Sequence, residues 1–201
     1  MTSAVPLETD YSQYGEQAVI LANTPPIGRL LDIGAWHATQ LSNSRALIER
    51  GWEAMLVEPS PEPFMGLLKE YGNNPKVTLI NAAIGFERCF VKFHATADAV
   101  TTSDESSFKK WSEIGGFYGS FYAPVFTLGD LLNQFGGNLQ FVNIDVEGSS
   151  VDVFNALMAT GSRPNVVCVE HDDRIVEINQ NAAAVGYRQL LLNGTNVVFG
   201  L

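Results

Sequence analysis

The 201-residue chain is short of cysteine, of positive charge and of long apolar runs, and each shortage excludes something. Its two cysteines, Cys89 and Cys168, stand far apart, and "NVVCVEHDD" sets Cys168 in a strand-like apolar run. Isolated thiols of this kind read as core fillers, not as a disulfide framework or a metal-binding pair. Twelve Lys and Arg stand against 22 Asp and Glu, a net charge of −10. So acidic a chain opposes phosphate-backbone binding, which relies on clustered cations displacing counterions, and nucleic acid is not the expected substrate. No apolar run approaches the roughly 20 residues that span a bilayer. The opening "MTSAVPLETD" lacks the basic start and apolar core of a secretory signal, so the expectation is a cytoplasmic protein without membrane contact. No repeat, low-complexity tract or linker interrupts the chain. Its length and 46% hydrophobic content suit a single domain over residues 1–201.

What is present is alternation. "RLLDIG" (29–34), "AMLVEP" (54–59), "VTLINAAI" (77–84), "QFVNIDV" (140–146) and "NVVCVE" (165–170) are apolar runs of strand length. Amphipathic segments lie between them. Phe64, Leu67, Leu68 and Tyr71 follow helical spacing behind Ser60 as N-cap and Pro61 at the first helical position. Leu128, Leu131, Leu132 and Phe135 repeat that spacing after Thr127, with Asp130 placed as the acid of a capping box. Ile175, Ile178, Ala182 and Val185 make a further stripe. Alternation of this kind predicts βαβ units and a mostly parallel sheet with helices on both faces. "YRQLLLNGTNVVFGL" departs from it, with two strands joined through Asn193-Gly194, the signal of an antiparallel hairpin. The expected fold is α/β, a Rossmann-like three-layer sandwich whose seven-stranded sheet ends in a C-terminal hairpin. Residues 86–126 are irregular and rich in aromatics: Phe90, Phe93, Phe108, Trp111, Phe117, Tyr118, Phe121 and Tyr122. They read either as a ribbon and short helix packed on the domain or as a lid over a cleft, hinged at Gly115-Gly116.

The first strand ends in "LDIGAWHATQLSNSRALIERG", and in open α/β sheets ligands bind at carboxyl ends of strands where the order reverses. Gly34 lets the backbone turn beside a ligand, and a helix starting near Ser42 or Ser44 aims its amides there. Glu58 closes the second strand, placed to hold ribose hydroxyls. A pyrophosphate needs the glycines of G-x-G-x-x-G, whereas Gly34 stands alone before Ala35-Trp36-His37-Ala38. That disfavours a nicotinamide-dependent oxidoreductase. S-adenosylmethionine (SAM) has no pyrophosphate and tolerates a bulkier turn.

The chain resembles the FkbM family of SAM-dependent methyltransferases. The likeness rests on "YSQYGEQAVI", "LDIGA" with "SNS", "GWEAMLVEPSPEPF", "NAAIG", "FTLGDLL", "NIDVEGSSVDVF" and "RPNVVCVEHD", in that order. It implies O-methyl transfer from SAM to a hydroxyl of a small molecule, natural product or sugar. Carried over by position, it implies Ser12 and Gln13 over the cofactor, and Asp32, Gly34 and Ala35 along its methionine. It likewise implies Glu58 with Pro59 at the ribose, and Asn81 and Ala82 beside the adenine. Trp36 and Ala38 depart from the family's small polar residue and second glycine, which keeps a non-catalytic SAM-binding or interaction protein open as an alternative.

The fourth and fifth strands end in "NIDVEG" and "CVEHDD". Neighbouring strands lie about 4.8 Å apart, so Asp145, Glu147, Glu170, His171 and Asp172 are expected to crowd one rim. So many acids raise one another's pKa or recruit a cation. Three readings stay open. Asp145 contacts the SAM amino group or the substrate, with His171 as general base. Alternatively Asp145 and Glu170, with or without His171, hold a divalent metal. In the third, Glu147 and Asp172 are helix-terminal charges and His171 is a solvated loop residue. His37 is an alternative base, and His94 reads as a strand residue.

Overall fold

The computed structural model of the chain describes residues 9–96 and 117–201. The expectations placed on Phe108, Trp111 and the Gly115-Gly116 hinge lie outside these residues, as do those on the side chains of Phe117 and Tyr118.

The strands are β1 (Arg29–Ile33), β2 (Glu53–Val57), β3 (Val77–Ile80), β4 (Ala83–Gly85), β5 (Cys89–Thr96), β6 (Phe117–Thr127), β7 (Phe141–Ile144), β8 (Val166–Glu170), β9 (Arg188–Leu192) and β10 (Asn196–Gly200). The helices are α1 (Glu16–Asn23), α2 (Arg45–Glu49), α3 (Pro61–Tyr71), α4 (Leu128–Phe135), α5 (Ser150–Ala159) and α6 (Ile175–Ala184). Seven strands form one sheet in the order β3-β2-β1-β7-β8-β10-β9. The first five are parallel, and β10 pairs antiparallel with both β8 and β9, so the expected terminal hairpin is present. The chain runs outward from β1 through β2 to β3, then returns to β7 on the other side of β1. The strand order therefore reverses at β1 and β7, and the crevice beyond their carboxyl ends is where this topology places a ligand.

The central strands are apolar because both of their faces are covered. One face of the sheet, with Leu31, Ile33, Met55, Val57, Val142, Ile144 and Val169, packs on Val151, Phe154 and Leu157 of α5 and Ile178 of α6. The other, with Leu30, Ala54, Leu56, Phe141 and Cys168, packs on Ile20, Leu47, Leu67 and Tyr71 from α1, α2 and α3. Two polar side chains interrupt the second face. Asp32 and Asn143 are buried, and they are direct register partners in β1 and β7.

Local signals are met unevenly. Thr127 and Asp130 form the expected reciprocal capping box at α4. Ser60 stands at the N-cap of α3 with Pro61 behind it, yet its side chain makes no capping bond. The run 77–84 is not one strand. It breaks at Asn81-Ala82, because residues 83–85 pair with β6 in a separate three-stranded sheet of order β4-β6-β5. There β5 and β6 form the ribbon expected within 86–126. Cys168 is buried as expected, but Cys89 is exposed and not a core filler. Among the described residues no helix is long and apolar enough to cross a membrane.

Candidate active site

Register brings the carboxyl ends of β1, β2 and β7 to one level. Ile33 pairs with Val57 on one side and Ile144 on the other, so the next residues, Gly34, Glu58 and Asp145, line one hollow. Gly34 has φ +84, and its amide donates to the Val57 carbonyl at 2.9 Å. A Cβ placed there would lie 1.7 Å from the Asp145 carbonyl oxygen, so only glycine fits.

Glu58 is buried, and each carboxylate oxygen accepts one backbone amide: Oε1 from Ser60 at 2.7 Å, Oε2 from Trp36 at 3.0 Å. Burial pushes its pKa up, and these amide bonds pull the other way. Each oxygen keeps acceptor capacity toward the hollow. Trp36 has φ +37 and lines the hollow with Gly34 and Glu58, without filling it. The loop after it is fastened by the Tyr71 hydroxyl, which donates to the Ala38 carbonyl at 3.0 Å.

A buried polar chain centred on Asp32 forms one wall of the hollow. Asn143 Nδ2 donates to Asp32 Oδ1 at 2.9 Å, Ser44 Oγ donates to Asp32 Oδ2, and Asn43 Nδ2 donates to Asn143 Oδ1 at 3.1 Å. Burial raises the Asp32 pKa, against the two hydrogen bonds from Ser44 and Asn143. Asn43 Oδ1 is buried and finds no partner among the described residues, while Asn43 lines the hollow. An orphaned acceptor in a cleft wall fits a ligand that brings a donor.

At the β7 rim, Asp145, Glu147 and Glu170 place carboxylate oxygens within 4.8 Å of one another. Burial, then the charge of Glu147, raises the Asp145 pKa. Burial, then the charge of Asp145, raises that of Glu170. Both shifts run in the same direction, toward the protonated form. Ser150 Oγ ties the two strand ends together, accepting from the Val146 amide at 2.9 Å and donating to Glu170 Oε2 at 3.3 Å.

The remaining candidates divide. Gln13, Ala35, Pro59 and Ala82 line the hollow with Asp32 and Asp145. Ser12 instead closes the turn before α1, donating to Asp10 Oδ1 at 2.6 Å and accepting from the Gln17 amide. Asn81 does not line the hollow, but its Nδ2 ties the strand-end carbonyls of Glu58 and Pro59 at 2.8 and 3.1 Å. Glu170 and His171 are not among the lining residues. His171 is buried, its Nδ1 accepts the Asp173 amide at 3.1 Å, and its Nε2 has no partner among the described residues. It is therefore not the solvated loop residue of the third reading. Asp172 does serve a helix N-terminus, though of the preceding helix: its oxygens accept the amides of Gly148 at 3.0 Å and Val151 at 3.2 Å, at the start of α5. His37 is exposed, and its Nδ1 accepts the amides of Thr39 and Gln40.

Among the lining residues that escaped the sequence reading are Asn43, Asn143 and Asn196. A signal existed for Asn143, an amide inside a strand otherwise apolar on both faces. Asn196 carries a further buried group, because with Asn193 it donates to Glu16 Oε1 at 2.8 Å. Burial alone would raise the Glu16 pKa, but these hydrogen bonds hold it below the usual range.

The family profile described as Methyltransferase FkbM domain matches residues 32–193. No curated protein matches the chain in sequence. Among solved structures, precorrin-6y C5,15-methyltransferase from Geobacter metallireducens is 14% identical, over 92% of this chain and 86% of its own, with TM-score 0.49. A TehB-like SAM-dependent methyltransferase from Corynebacterium glutamicum is 12% identical over 93% and 87%, with TM-score 0.45. TYW2 from M. jannaschii, solved in complex with AdoMet, is 9% identical over 97% and 77%, with TM-score 0.45.

Proposed function

The chain belongs to the FkbM methyltransferase domain family, and from that premise we propose that it acts as one domain, transferring a methyl group from SAM to a hydroxyl oxygen of a small molecule, natural product or sugar. The observation that carries the reading is the shared hollow of Gly34, Glu58 and Asp145. Glu58, held open by two backbone amides, suits ribose hydroxyls. The wall of Asp32, Asn143 and Asn43 suits the methionine end, where the orphaned Asn43 Oδ1 would accept from an ammonium. The single glycine of the loop supports SAM over a dinucleotide, and the net charge of −10 supports a small acceptor over nucleic acid.

When bound, SAM would supply a methyl group on a cationic sulfur, activated for transfer to the acceptor oxygen with S-adenosylhomocysteine as the leaving group. The chain's own work is to align that oxygen and remove its proton. Alignment alone is worth several kcal/mol, on the order of 7 or more. Asp145, raised in proton affinity by burial and facing the hollow, is the residue proposed to receive the proton, with Glu170 behind it to share it. His171, which is not among the residues lining the hollow, is not assigned that role. A divalent cation is the second reading of this rim: three carboxylates within 4.8 Å present the hard oxygen donors that Mg²⁺ prefers.

Calorimetry with S-adenosylhomocysteine against NAD tests the cofactor, and binding of NAD alone would overturn the reading. Tritium transfer from labelled SAM to a panel of hydroxylated compounds tests the reaction. Loss of transfer in Asp145→Asn with homocysteine-product binding retained supports the assigned base. Sensitivity to a chelator, reversed by Mg²⁺, would select the cation reading.

A further inference from the structure

An open groove of about 370 Å³ lies beside the cleft, lined by residues of the three-stranded sheet. Ala83, Ile84 and Phe93 line both spaces, so the groove adjoins the cleft. Alternation along β5 puts Cys89, Val91 and Phe93 on the groove side and Phe90 and Lys92 on the other. Phe93 is buried at the junction and stacks on Phe121, with ring centroids 5.5 Å apart and planes 13° from parallel. At the far end Phe86 is 72% exposed.

Among the described residues the lining has one charged residue, Glu87, and no cation. The neighbouring Arg88 is committed to Asp130, the acid of the capping box at α4. A phosphorylated or carboxylated ligand would meet no counter-charge from these residues. A bare sugar, with hydroxyls around its whole ring, would leave most of them unpaired against Val91, Phe93, Val125 and Phe86.

We propose that this groove binds the apolar body of the methyl acceptor, a hydroxylated aromatic or acyl compound, whose hydroxyl reaches into the cleft past Phe93. The proposal rests on the methyltransferase reading of the cleft and narrows its acceptor class. Volume and chemistry agree, since small-molecule sites are concave, mostly apolar and upward of about 300 Å³.

Cys89 gives a direct test. It lines the groove and is exposed, whereas the chain's other thiol, Cys168, is buried. The rate of Cys89 alkylation by iodoacetamide, followed by mass spectrometry on the full chain, therefore reports occupancy of the groove without requiring turnover. 2-Naphthol or methyl 3-hydroxydecanoate is expected to slow alkylation saturably, at least fivefold, while methyl glucoside leaves it unchanged. Val91→Glu is expected to abolish that protection with S-adenosylhomocysteine affinity unchanged by calorimetry. Equal protection by methyl glucoside, or none by either apolar probe, overturns the proposal. So does protection by S-adenosylhomocysteine alone, which would assign the groove to the cofactor. Slowing that grows with protein concentration in the absence of any probe overturns it too, because a second copy would then cover the face. Apolar protection without S-adenosylhomocysteine binding upholds the groove and overturns only the reading of the cleft.

Discussion

Asp145 and Glu170 stand side by side just beyond the last paired residues of two parallel strands, Ile144 and Val169, with carboxylate oxygens within 4.8 Å. Both pKa values are raised in the fold, by burial first, then at Asp145 by the charge of Glu147 and at Glu170 by the charge of Asp145. An acid raised in the folded state binds more protons there than in the unfolded chain, so stability falls as pH rises through the folded pKa. The pair costs nothing below the ordinary carboxylate range, where both states are protonated. Its cost grows as pH climbs from that range past neutrality. The melting temperature is expected to fall between pH 5 and pH 8.5. Glu170→Gln is expected to flatten that fall, gaining about 2–4 °C at the alkaline end for each kcal/mol recovered. Parallel pH profiles for the wild type and the variant would refute the shared proton.

Gly34 meets two independent demands. Its φ of +84 strains any residue with a Cβ, and that Cβ would also lie 1.7 Å from a backbone oxygen of β7. Backbone has no rotamer with which to give way, so β1 and β7 would have to part. Gly34→Ala is expected to cost about 3 kcal/mol or more, the left-handed penalty added to overpacking. Chemical denaturation of the variant would measure it, and a cost under about 1 kcal/mol would contradict the close approach.

Much of this architecture was legible in the chain because its central strands are apolar on both faces. "RLLDIG" and "NVVCVE" could hardly be anything else, and Asn193-Gly194 announced the hairpin. Thr127 and Asp130 were legible because a capping box is local. What was missed depends on contacts distant in sequence. The run 77–84 hides a change of sheet, since the partner of residues 83–85 is β6, across the whole insertion. His171 after a strand end resembles a free base. Yet the left-handed backbone at Asp172 and Asp173, φ +49 and +58, turns the Asp173 amide back onto its Nδ1. The role of Asn43 depends on a partner 100 residues away.

Asp172 offers a structural contrast to the acids of the cleft. Its carboxylate accepts two amides at the start of α5, a helix that precedes it in the chain. Asp172→Ala removes both acceptors and is expected to cost about 1–2 kcal/mol, as for a lost N-cap. Asp172→Asn keeps one acceptor oxygen and is expected to cost less. Neither change is expected to alter affinity for S-adenosylhomocysteine by more than about twofold, given that Asp172 does not line the hollow. A large loss of affinity with unchanged stability would move Asp172 into the site.

Glu58 is where binding and folding can be separated. Glu58→Gln preserves shape, but one end becomes an amide that must face a backbone N–H, of Ser60 or Trp36. Donor against donor is expected to lower stability, so lost affinity alone would not identify a ribose contact. A double-mutant cycle does, with the ligand as the second partner. Against S-adenosylhomocysteine, Glu58→Gln is expected to weaken binding by about 10- to 100-fold, the range of a hydrogen bond to a charged group. Against the 2′-deoxy analogue, which lacks one ribose hydroxyl, the same substitution is expected to cost much less, since the interaction has already been removed. Equal losses for the two ligands would mean that Glu58 shapes the loop at Trp36 without touching the sugar.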